Sequence, residues 1–242
     1  RLFFIVSIFI IFNISAFAKS GFEFILNVPI GASYSIISQN MKDVQMKNFF
    51  GLDAGVETQL GYMFQINEGF GISVLGDIGY SHDNYKIKYE RITYNSEYAI
   101  HYSRYNFRYD GVQVGLLPKF NIKGFSIGIG CGIKFPIYKY ENYDYLDVAL
   151  PLASSYIANN ENSSSSKENE REPYSVIPYA KLTLDYYIFF ANKWAVNIGL
   201  YCRYDFLPKY NFYDGNGYID KPKNYGTFDF GVQLGLRFGP RV

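Results

Sequence analysis

A stretch near the C-terminus shows the alternation of a β-strand with one apolar face. Between Thr227 and Phe238, every second residue is large and apolar, and the residues between them are Thr, Asp, Gly, Gln or Arg. Successive side chains of a strand point to opposite faces of its sheet. The stretch is longer than the about 5–6 residues of a typical globular strand. It matches the roughly 9–11 residues that a tilted strand needs to cross a membrane.

Seven other stretches repeat this pattern. They are Phe22–Tyr34, Phe50–Phe64, Phe70–Ser81, Gly111–Phe120, Phe125–Tyr138, Tyr174–Ile188 and Trp194–Phe206. Short links follow the second, fourth and sixth strands, and longer links predict external loops at about 35–49, 82–109, 139–173 and 207–224. An even number of strands with alternating short and long links is typical of an outer-membrane barrel whose termini are both periplasmic. The pattern therefore predicts an all-β fold, an eight-stranded antiparallel up-and-down transmembrane β-barrel.

The opposite strand face separates this prediction from a soluble barrel. A soluble lipocalin-like barrel would bury its apolar face inward and carry charged residues outside. Here the second face is mostly Gly and Ser with isolated charges, which suits the inside of a narrow eight-stranded barrel. Composition agrees, because a 20% aromatic share fits aromatic girdles at both membrane interfaces. A net charge of +1 gives no basic field for nucleic acid, and a mean hydropathy of -0.10 argues against a helical membrane bundle.

The first residues predict a secretory signal. Leu2 to Ala18 is an apolar run that ends in Ala16-Phe17-Ala18, with Lys19 next. A basic start, an apolar centre and an A-x-A ending describe a signal peptide that is cleaved after Ala18. The alternative is an N-terminal membrane anchor, for which the run is short. We therefore expect residues 1–18 to be the signal peptide and residues 19–242 to form the barrel in the cell outer membrane.

With these strands and links, the chain resembles the small eight-stranded outer-membrane barrels of the OmpX, OmpA-barrel and opacity-protein type. The resemblance covers about Lys19 to Val242 and rests on the strand pattern. Such proteins commonly end on an aromatic residue that the assembly machinery reads. Here Phe238 is followed by four more residues, Gly239 to Val242. The resemblance implies that Phe238 serves as an internal form of that signal.

Charged residues on the inward face form a predicted lumen charge network. Its members are Glu23, Asp53, Glu57, Asp77, Lys119, Lys134, Lys181, Asp185, Arg203, Asp205, Asp229 and Arg237. We expect a structural role, because charges in a narrow lumen must pair. The alternative role is a charged pore or a proton path. Glu23 begins the first strand and Arg237 ends the last, so we expect these two to face each other across the seam that closes the barrel.

Local irregularities and the two cysteines give further expectations. Pro29 removes a ladder donor, which predicts a bulge or a weak spot, and the alternation slips near Asp110, which predicts a bulge. Cys131 and Cys202 fall on the lipid-facing side of the fifth and seventh strands. With a strand between them they are roughly 9–10 Å apart, beyond the about 7 Å that a disulfide allows. We expect two free, buried thiols.

The sequence offers weak evidence for catalysis or metal binding. The two histidines, His82 and His101, both fall in the predicted external hairpin. The run Ser81-His82-Asp83 invites a hydrolase or acyltransferase interpretation, but three adjacent residues do not give the nucleophile–base–orienter geometry. Two histidines with no cysteine or acidic cluster at ligand spacing predict no metal site. We therefore predict that the protein is not an enzyme, with no catalytic residue, metal or cofactor.

Tyrosines mark the predicted external surface. The arms of the hairpin at 82–109 continue to alternate, and its tip is expected near Asn95-Ser96. Tyrosine offers a large contact area and a hydroxyl group at low entropic cost. The candidate binding tyrosines are Tyr85, Tyr89, Tyr94, Tyr98, Tyr102 and Tyr105. The alternative is that these rings form the upper aromatic girdle and pack on each other. The Ser-, Asn- and Glu-rich tract at 159–172 predicts a solvated loop tip.

These observations favour a surface-exposed structural or adhesion-type barrel. Its expected partners are outer-membrane lipid and a host or extracellular ligand at the loops, with no nucleic acid, and we expect a monomer. A narrow small-solute channel of the porin-like type is the second hypothesis, and a lipid-modifying outer-membrane enzyme is the third.

Overall fold

The computed structural model describes residues 20–36, 46–95, 97–150, 176–207, 213–214, 217–218 and 225–241. The predicted signal peptide and the tract at 159–172 lie outside the described residues. The strands are β1 (Gly21–Ile36), β2 (Met46–Asn67), β3 (Phe70–Asn95), β4 (Glu97–Ile122), β5 (Phe125–Leu150), β6 (Ile177–Phe189), β7 (Trp194–Leu207), β8 (Tyr213–Asp214), β9 (Gly217–Tyr218) and β10 (Tyr225–Phe238). Within the described part of the chain, no helix has the length and apolar character to cross a membrane.

Eight of these strands close into a barrel. Each pairs antiparallel with its neighbours in the order β1-β10-β7-β6-β5-β4-β3-β2, and β8 and β9 form a separate two-stranded hairpin. The last strand closes the ring by pairing with β1, from Phe24 opposite Phe238 to Ile36 opposite Gly226. The predicted eight-stranded antiparallel up-and-down barrel is therefore confirmed, as is the position of Thr227–Phe238 between the seventh strand and the first.

The wall is apolar outside and polar inside. Along β6, buried and exposed side chains alternate, with Lys181 and Thr183 buried while Leu182 and Leu184 are 41% and 46% exposed. The same alternation runs along β7. Aromatic pairs lie near both ends of the wall, such as Phe125–Tyr186, Trp194–Phe238, Tyr34–Phe50 and Tyr204–Phe206. A continuous apolar outer wall requires lipid, so the soluble lipocalin-like arrangement is wrong for this chain.

Small residues on the inward face make room for large ones. Tyr179 on β6 lies opposite Gly132 on β5. A Cβ atom at Gly132 would lie 2.6 Å from Tyr179 Cζ and 2.3 Å from the carbonyl oxygen of Val114. Because an eight-stranded barrel is just wide enough for side chains, glycine here lets the tyrosine ring fill the interior.

The predicted irregularities have distinct outcomes. A register shift separates Asp110 from Gly111 in the β4–β5 pair, which confirms the predicted bulge. At Pro29 the pairing with β2 is interrupted between Asn27 and Ile30 without a change of register, so Pro29 is a weak spot and not a bulge. The hairpin of β3 and β4 pairs as far as Asn95 and Glu97, in agreement with the predicted tip.

The predicted loop boundary after the fifth strand is wrong. We expected a loop from residue 139 to residue 173, but β5 continues to Leu150 and pairs with β4 over its whole length. Above the membrane neither face of a strand must be apolar, so the alternation that marks the strand below is lost there.

The two cysteines lie on strands that do not touch. Cys131 on β5 faces Ala180 of β6, and Cys202 on β7 faces Leu182 of β6. Both thiols are free, which confirms the predicted absence of a disulfide. The expectation of burial is wrong, because Cys131 is exposed on the outer wall and Cys202 is partly exposed.

Candidate functional site

All twelve members of the predicted lumen charge network are buried inside the barrel. Asp83, which we assigned to the external hairpin, is buried among them. Of the side chains that the structure describes, the interior then holds eight acidic and five basic groups. Burying a charge is costly unless it is paired and hydrogen-bonded. The network divides along the barrel axis into three layers that meet this requirement in different ways.

The lowest layer, near the short turns, consists of two balanced ion pairs. Arg237 Nε lies 2.6 Å from Glu23 Oε1, the contact that we predicted across the seam. Lys119 Nζ lies 2.9 Å from Asp185 Oδ2. Arg237 Nη2 also donates to the carbonyl oxygen of Pro240 at 3.0 Å. Pro240, two residues beyond Phe238, is therefore held at the base of the lumen by the same arginine that closes the seam.

The middle layer joins one lysine to two carboxylates across the lumen. Lys181 on β6 contacts Glu57 on β2 and lies 3.1 Å from Asp77 on β3. Gln113 Nε2 donates to Glu57 at 2.8 Å. Because β6 is not a neighbour of β2 or β3 in the sheet, these contacts cross the interior instead of following the wall.

The upper layer is organised around Arg203 on β7. Its Nη2 atom lies 2.8 Å from Asp53, 2.9 Å from Asp83 and 3.1 Å from Asp229. Its Nη1 atom donates to Gln113 at 3.2 Å. One guanidinium group thus binds side chains from β2, β3, β4 and β10. Arginine suits this role because its five donors lie in a fixed plane.

Lys134 supplies the second cation of the upper layer. Its Nζ atom lies 2.9 Å from Asp83 Oδ2 and also contacts Asp205. The hydroxyl of Tyr201 donates to Asp53, and that of Tyr85 donates to Asp205 at 3.4 Å. Tyr201 thereby satisfies Asp53 Oδ2, which Arg203 leaves open, whereas Tyr85 shares Asp205 Oδ2 with Lys134.

Three carboxylates of the upper layer have the spacing of a metal site. Oxygen atoms of Asp53, Asp83 and Asp229 lie within 4.8 Å of one another. However, Arg203 Nη2 is in contact with all three. Hard cations such as Mg²⁺ and Ca²⁺ take oxygen ligands of this type, but here the chain's own guanidinium provides the positive charge.

The run Ser81-His82-Asp83 is divided by the wall. Ser81 Oγ donates to Asp83 inside the barrel at 3.1 Å. His82 is only partly buried, and its Nδ1 atom lies 2.6 Å from Asp110, which the outward-facing Tyr80 also contacts. Neighbouring strand residues point to opposite faces, so the serine and the histidine cannot act together. The inward parity of Asp77 and Ser81 continues to Asp83, and this signal could have assigned it to the lumen.

Asp110 at the outer rim of the wall is surrounded by donors. Arg108 Nη2 lies 3.0 Å from Asp110 Oδ2, and the hydroxyl of Tyr80 donates to Oδ1 at 2.7 Å. Burial acts to raise the pKa of the Asp110 carboxyl, but the hydrogen bonds from His82, Tyr80 and Arg108 outweigh it and hold this pKa below its usual value. The ionised carboxylate therefore ties β3 to β4 beside the bulge.

The candidate binding tyrosines divide into two groups. Tyr85 is fully buried, and its ring lies 5.6 Å from that of Tyr109 inside the mouth of the barrel. It is therefore not an exposed contact residue, which corrects the sequence-based assignment. The side chains of the others lie outside the described residues: Tyr89, Tyr94, Tyr98, Tyr102 and Tyr105.

Several solved structures are similar to this barrel. Neisserial surface protein A is 10% identical over 89% of this chain and 96% of that chain, with a TM-score of 0.32. Ail, the attachment invasion locus protein of Yersinia pestis, is 10% identical over 89% and 98%, with a TM-score of 0.31. The outer membrane protease OmpT from Escherichia coli is 8% identical over 90% and 96%, also with a TM-score of 0.31. No family model and no curated protein sequence matches the chain.

The charge balance of the middle layer leads to a stability prediction. Replacing Lys181 by Met leaves Glu57 and Asp77 buried together without the lysine that joins them, with Arg203 at 3.8 Å from Glu57 as the remaining cation of the described residues, so the free energy of unfolding should fall by about 3 kcal/mol. Replacing Asp77 by Asn leaves one lysine with one carboxylate. Since Asp77 Oδ1 accepts no hydrogen bond from the described residues, this change should cost only about 1 kcal/mol.

Urea titration of both variants in phospholipid vesicles measures this difference. If Asp77→Asn lowered the free energy of unfolding as much as Lys181→Met or more, the assigned charge balance would be contradicted.

Proposed function

We propose that the protein is an integral outer-membrane β-barrel that presents a protruding β-sheet to extracellular partners. This proposal rests on the length of β3, β4 and β5, which continue after the other barrel strands have ended. On the far side of the barrel, β6 and β7 contain 13 and 14 residues, whereas β3, β4 and β5 contain 26 each. β2, with 22 residues, follows β3 as far as Tyr89, and beyond that point the excess length forms a three-stranded sheet on the side opposite the short turns.

This sheet has an edge that supports binding by strand addition. β4 lies between β3 and β5 and pairs with both. In the described parts of the chain, β5 pairs with β6 only from Phe125 to Lys134. The stretch from Phe135 to Leu150 therefore offers its second edge without a strand partner among those residues. An extended peptide can add to such an edge through main-chain hydrogen bonds, with side chains of the sheet giving specificity.

The orientation follows from the links. Short turns connect β2 to β3, β4 to β5 and β6 to β7, and both ends of the barrel chain lie on the same side as these turns. In outer-membrane barrels this side is periplasmic and the longer connections are external. The protruding sheet is then on the cell surface, where an adhesion-type function operates.

The lumen favours a structural over a conducting role. The charged groups contact each other across the interior in every layer, and Arg203 and Lys134 are 1% and 2% exposed in the mouth of the barrel. A conducting path would require these buried contacts to open, at the cost of leaving charges unpaired. The small-solute channel is therefore the second candidate.

The third candidate, a lipid-modifying enzyme, has less support. His82 contacts Asp110 and not Ser81, so the sequence motif that suggested such chemistry does not assemble in the described residues.

Shortening the β3–β4 hairpin tests the surface function. Lys88 pairs with Arg104, so residues 89–103 can be replaced by an Asn-Gly turn that keeps both strands in register. We expect this variant to fold as a barrel, as judged by heat-modifiable migration on gels, and to lose at least tenfold in binding to immobilised extracellular-matrix protein or cultured host cells. Unchanged binding by the shortened barrel would contradict the adhesive role.

Planar-bilayer recording separates the structural barrel from the channel. The reconstituted protein should show no steady openings, because the cross-lumen contacts fill the interior. Steady conductance that changes when Lys134 is replaced by Met would instead support a solute channel through the upper layer.

A further inference from the structure

A cavity of about 790 Å³ lies at the base of the barrel, beside the short turn between β6 and β7. It is bounded by the start of β1, by that turn and by the tail after β10. Two hydrogen bonds fix the tail in place. Gly239 N donates to the carbonyl oxygen of Lys193 at 2.9 Å, and Arg237 donates to that of Pro240. The cavity is therefore built by contacts between segments that are distant in sequence.

The lining combines positive charge with aromatic surface. Lys193 and Arg241 line the cavity, and no acidic residue is found among its described lining residues. Lys193 Nζ lies 5.9 Å from the ring centre of Phe238, and Arg241 Cζ lies 5.3 Å from that of Phe189. Each cation is thus placed over an aromatic ring that neither neutralises it nor accepts its hydrogen bonds strongly. Among the residues that the structure describes, neither cation is paired with a carboxylate, so both can contact an anion.

The cavity adjoins the lipid-facing wall. Phe22 and Phe190 line it and are 54% and 64% exposed on the outer surface, and Trp194 beside them is 43% exposed. A ligand in this place would have its charged part against Lys193 and Arg241 and its apolar part along the wall. Aromatic residues at this level are typical of the membrane–water interface.

From this arrangement we propose that the cavity binds the headgroup of an anionic phospholipid from the leaflet on the short-turn side. The phosphate group of the lipid contacts Lys193 and Arg241, and the acyl chains lie against Phe22, Phe190 and Trp194. Arginine and lysine are the usual partners of phosphate oxygens. The inference rests on the proposed placement of the barrel in the outer membrane, and it adds a specific lipid site to that placement.

The single tryptophan of the chain gives a direct readout. Trp194 packs against Phe238 of the cavity lining, with ring centres 5.1 Å apart. The barrel is reconstituted in phosphatidylcholine vesicles that contain a minor fraction of either brominated phosphatidylglycerol or brominated phosphatidylcholine. Bromine atoms quench a nearby indole, so the two quenching curves compare the local concentrations of the two lipids.

We expect brominated phosphatidylglycerol to be enriched at Trp194 by about fivefold for each cationic side chain. Lys193→Gln and Arg241→Gln should each reduce the enrichment, and the double variant should remove it. The matched control is Lys123→Gln, which takes an exposed cation from the neighbouring short turn without touching the cavity, and it should leave the enrichment unchanged.

Three results would overturn the lipid site. They are equal quenching by the two lipids in the unmodified protein, an equal loss in Lys123→Gln, and full displacement of the anionic lipid by soluble glycerol phosphate. The last would indicate a site for free phosphate. If instead the barrel were not inserted in the membrane, neither brominated lipid would quench Trp194, and this result is distinct from the three above.

Discussion

The guanidinium group of Arg203 lies in the barrel interior among carboxylates from three other strands, and the buried carboxylates of the upper layer depend on it. Without its positive charge, the upper layer would hold Asp53, Asp83, Asp205 and Asp229 against Lys134 alone. Isolated carboxylates in such an interior are costly, whereas a multiply hydrogen-bonded arginine offsets their repulsion. The contacts made by this one side chain reach across the lumen and so link strands that share no backbone hydrogen bonds.

The charges have an order around the barrel that helps to explain closure. In the described interior, the inward charges of β1, β2 and β3 are all acidic, whereas those of β4 and β5 are all basic. The remaining strands carry both signs. The acidic groups of β2 and β3 are paired mainly by Lys181 on β6 and Arg203 on β7, and these contacts form only when the sheet curls so that β6 and β7 lie across the lumen. The backbone pairing of β1 with β10 then closes the ring at the place where Glu23 meets Arg237.

The fold could be predicted from the sequence wherever contact with lipid imposes an alternation of apolar and polar residues. A strand in the membrane must be apolar on its outer face, so alternation located all eight strands and placed residues such as Lys181 and Asp229 inside. The same reasoning failed where the strands leave the membrane. There the outer face is free of that constraint, so the continuation of β5 to Leu150 left little trace in the pattern. The inward positions of Asp83 and Tyr85 could have been assigned only by extending the parity of Asp77 and Ser81 past the end of the apolar alternation.

The ion-pair partners inside the lumen also could not be predicted from the sequence, except for the pair at the seam. Alternation assigns a side chain to the interior but does not say which strand lies opposite it. That depends on the stagger of the whole ring, which sets Lys181 against Glu57 and Asp77, and Arg203 against Asp53. Glu23 and Arg237 were predictable because they stand at the ends of strands that must be neighbours.

A lumen filled by these contacts leaves the two ends of the barrel for interaction. The end opposite the short turns carries a sheet in which residues 135–150 of β5 have no second strand partner among the described residues, and the other end carries a cationic and aromatic cavity. The rigid charged interior holds both in fixed positions relative to the membrane. The central claim is therefore that cross-lumen contacts at Arg203 maintain the closed barrel.

The unfolding free energy of Arg203→Met in phospholipid vesicles tests this claim most directly. We expect a loss of at least about 3 kcal/mol, with partial recovery when Asp53 and Asp229 are also changed to Asn, since the uncompensated carboxylates are then removed. An Arg203→Met barrel that unfolds at the same urea concentration as the unmodified protein would contradict it.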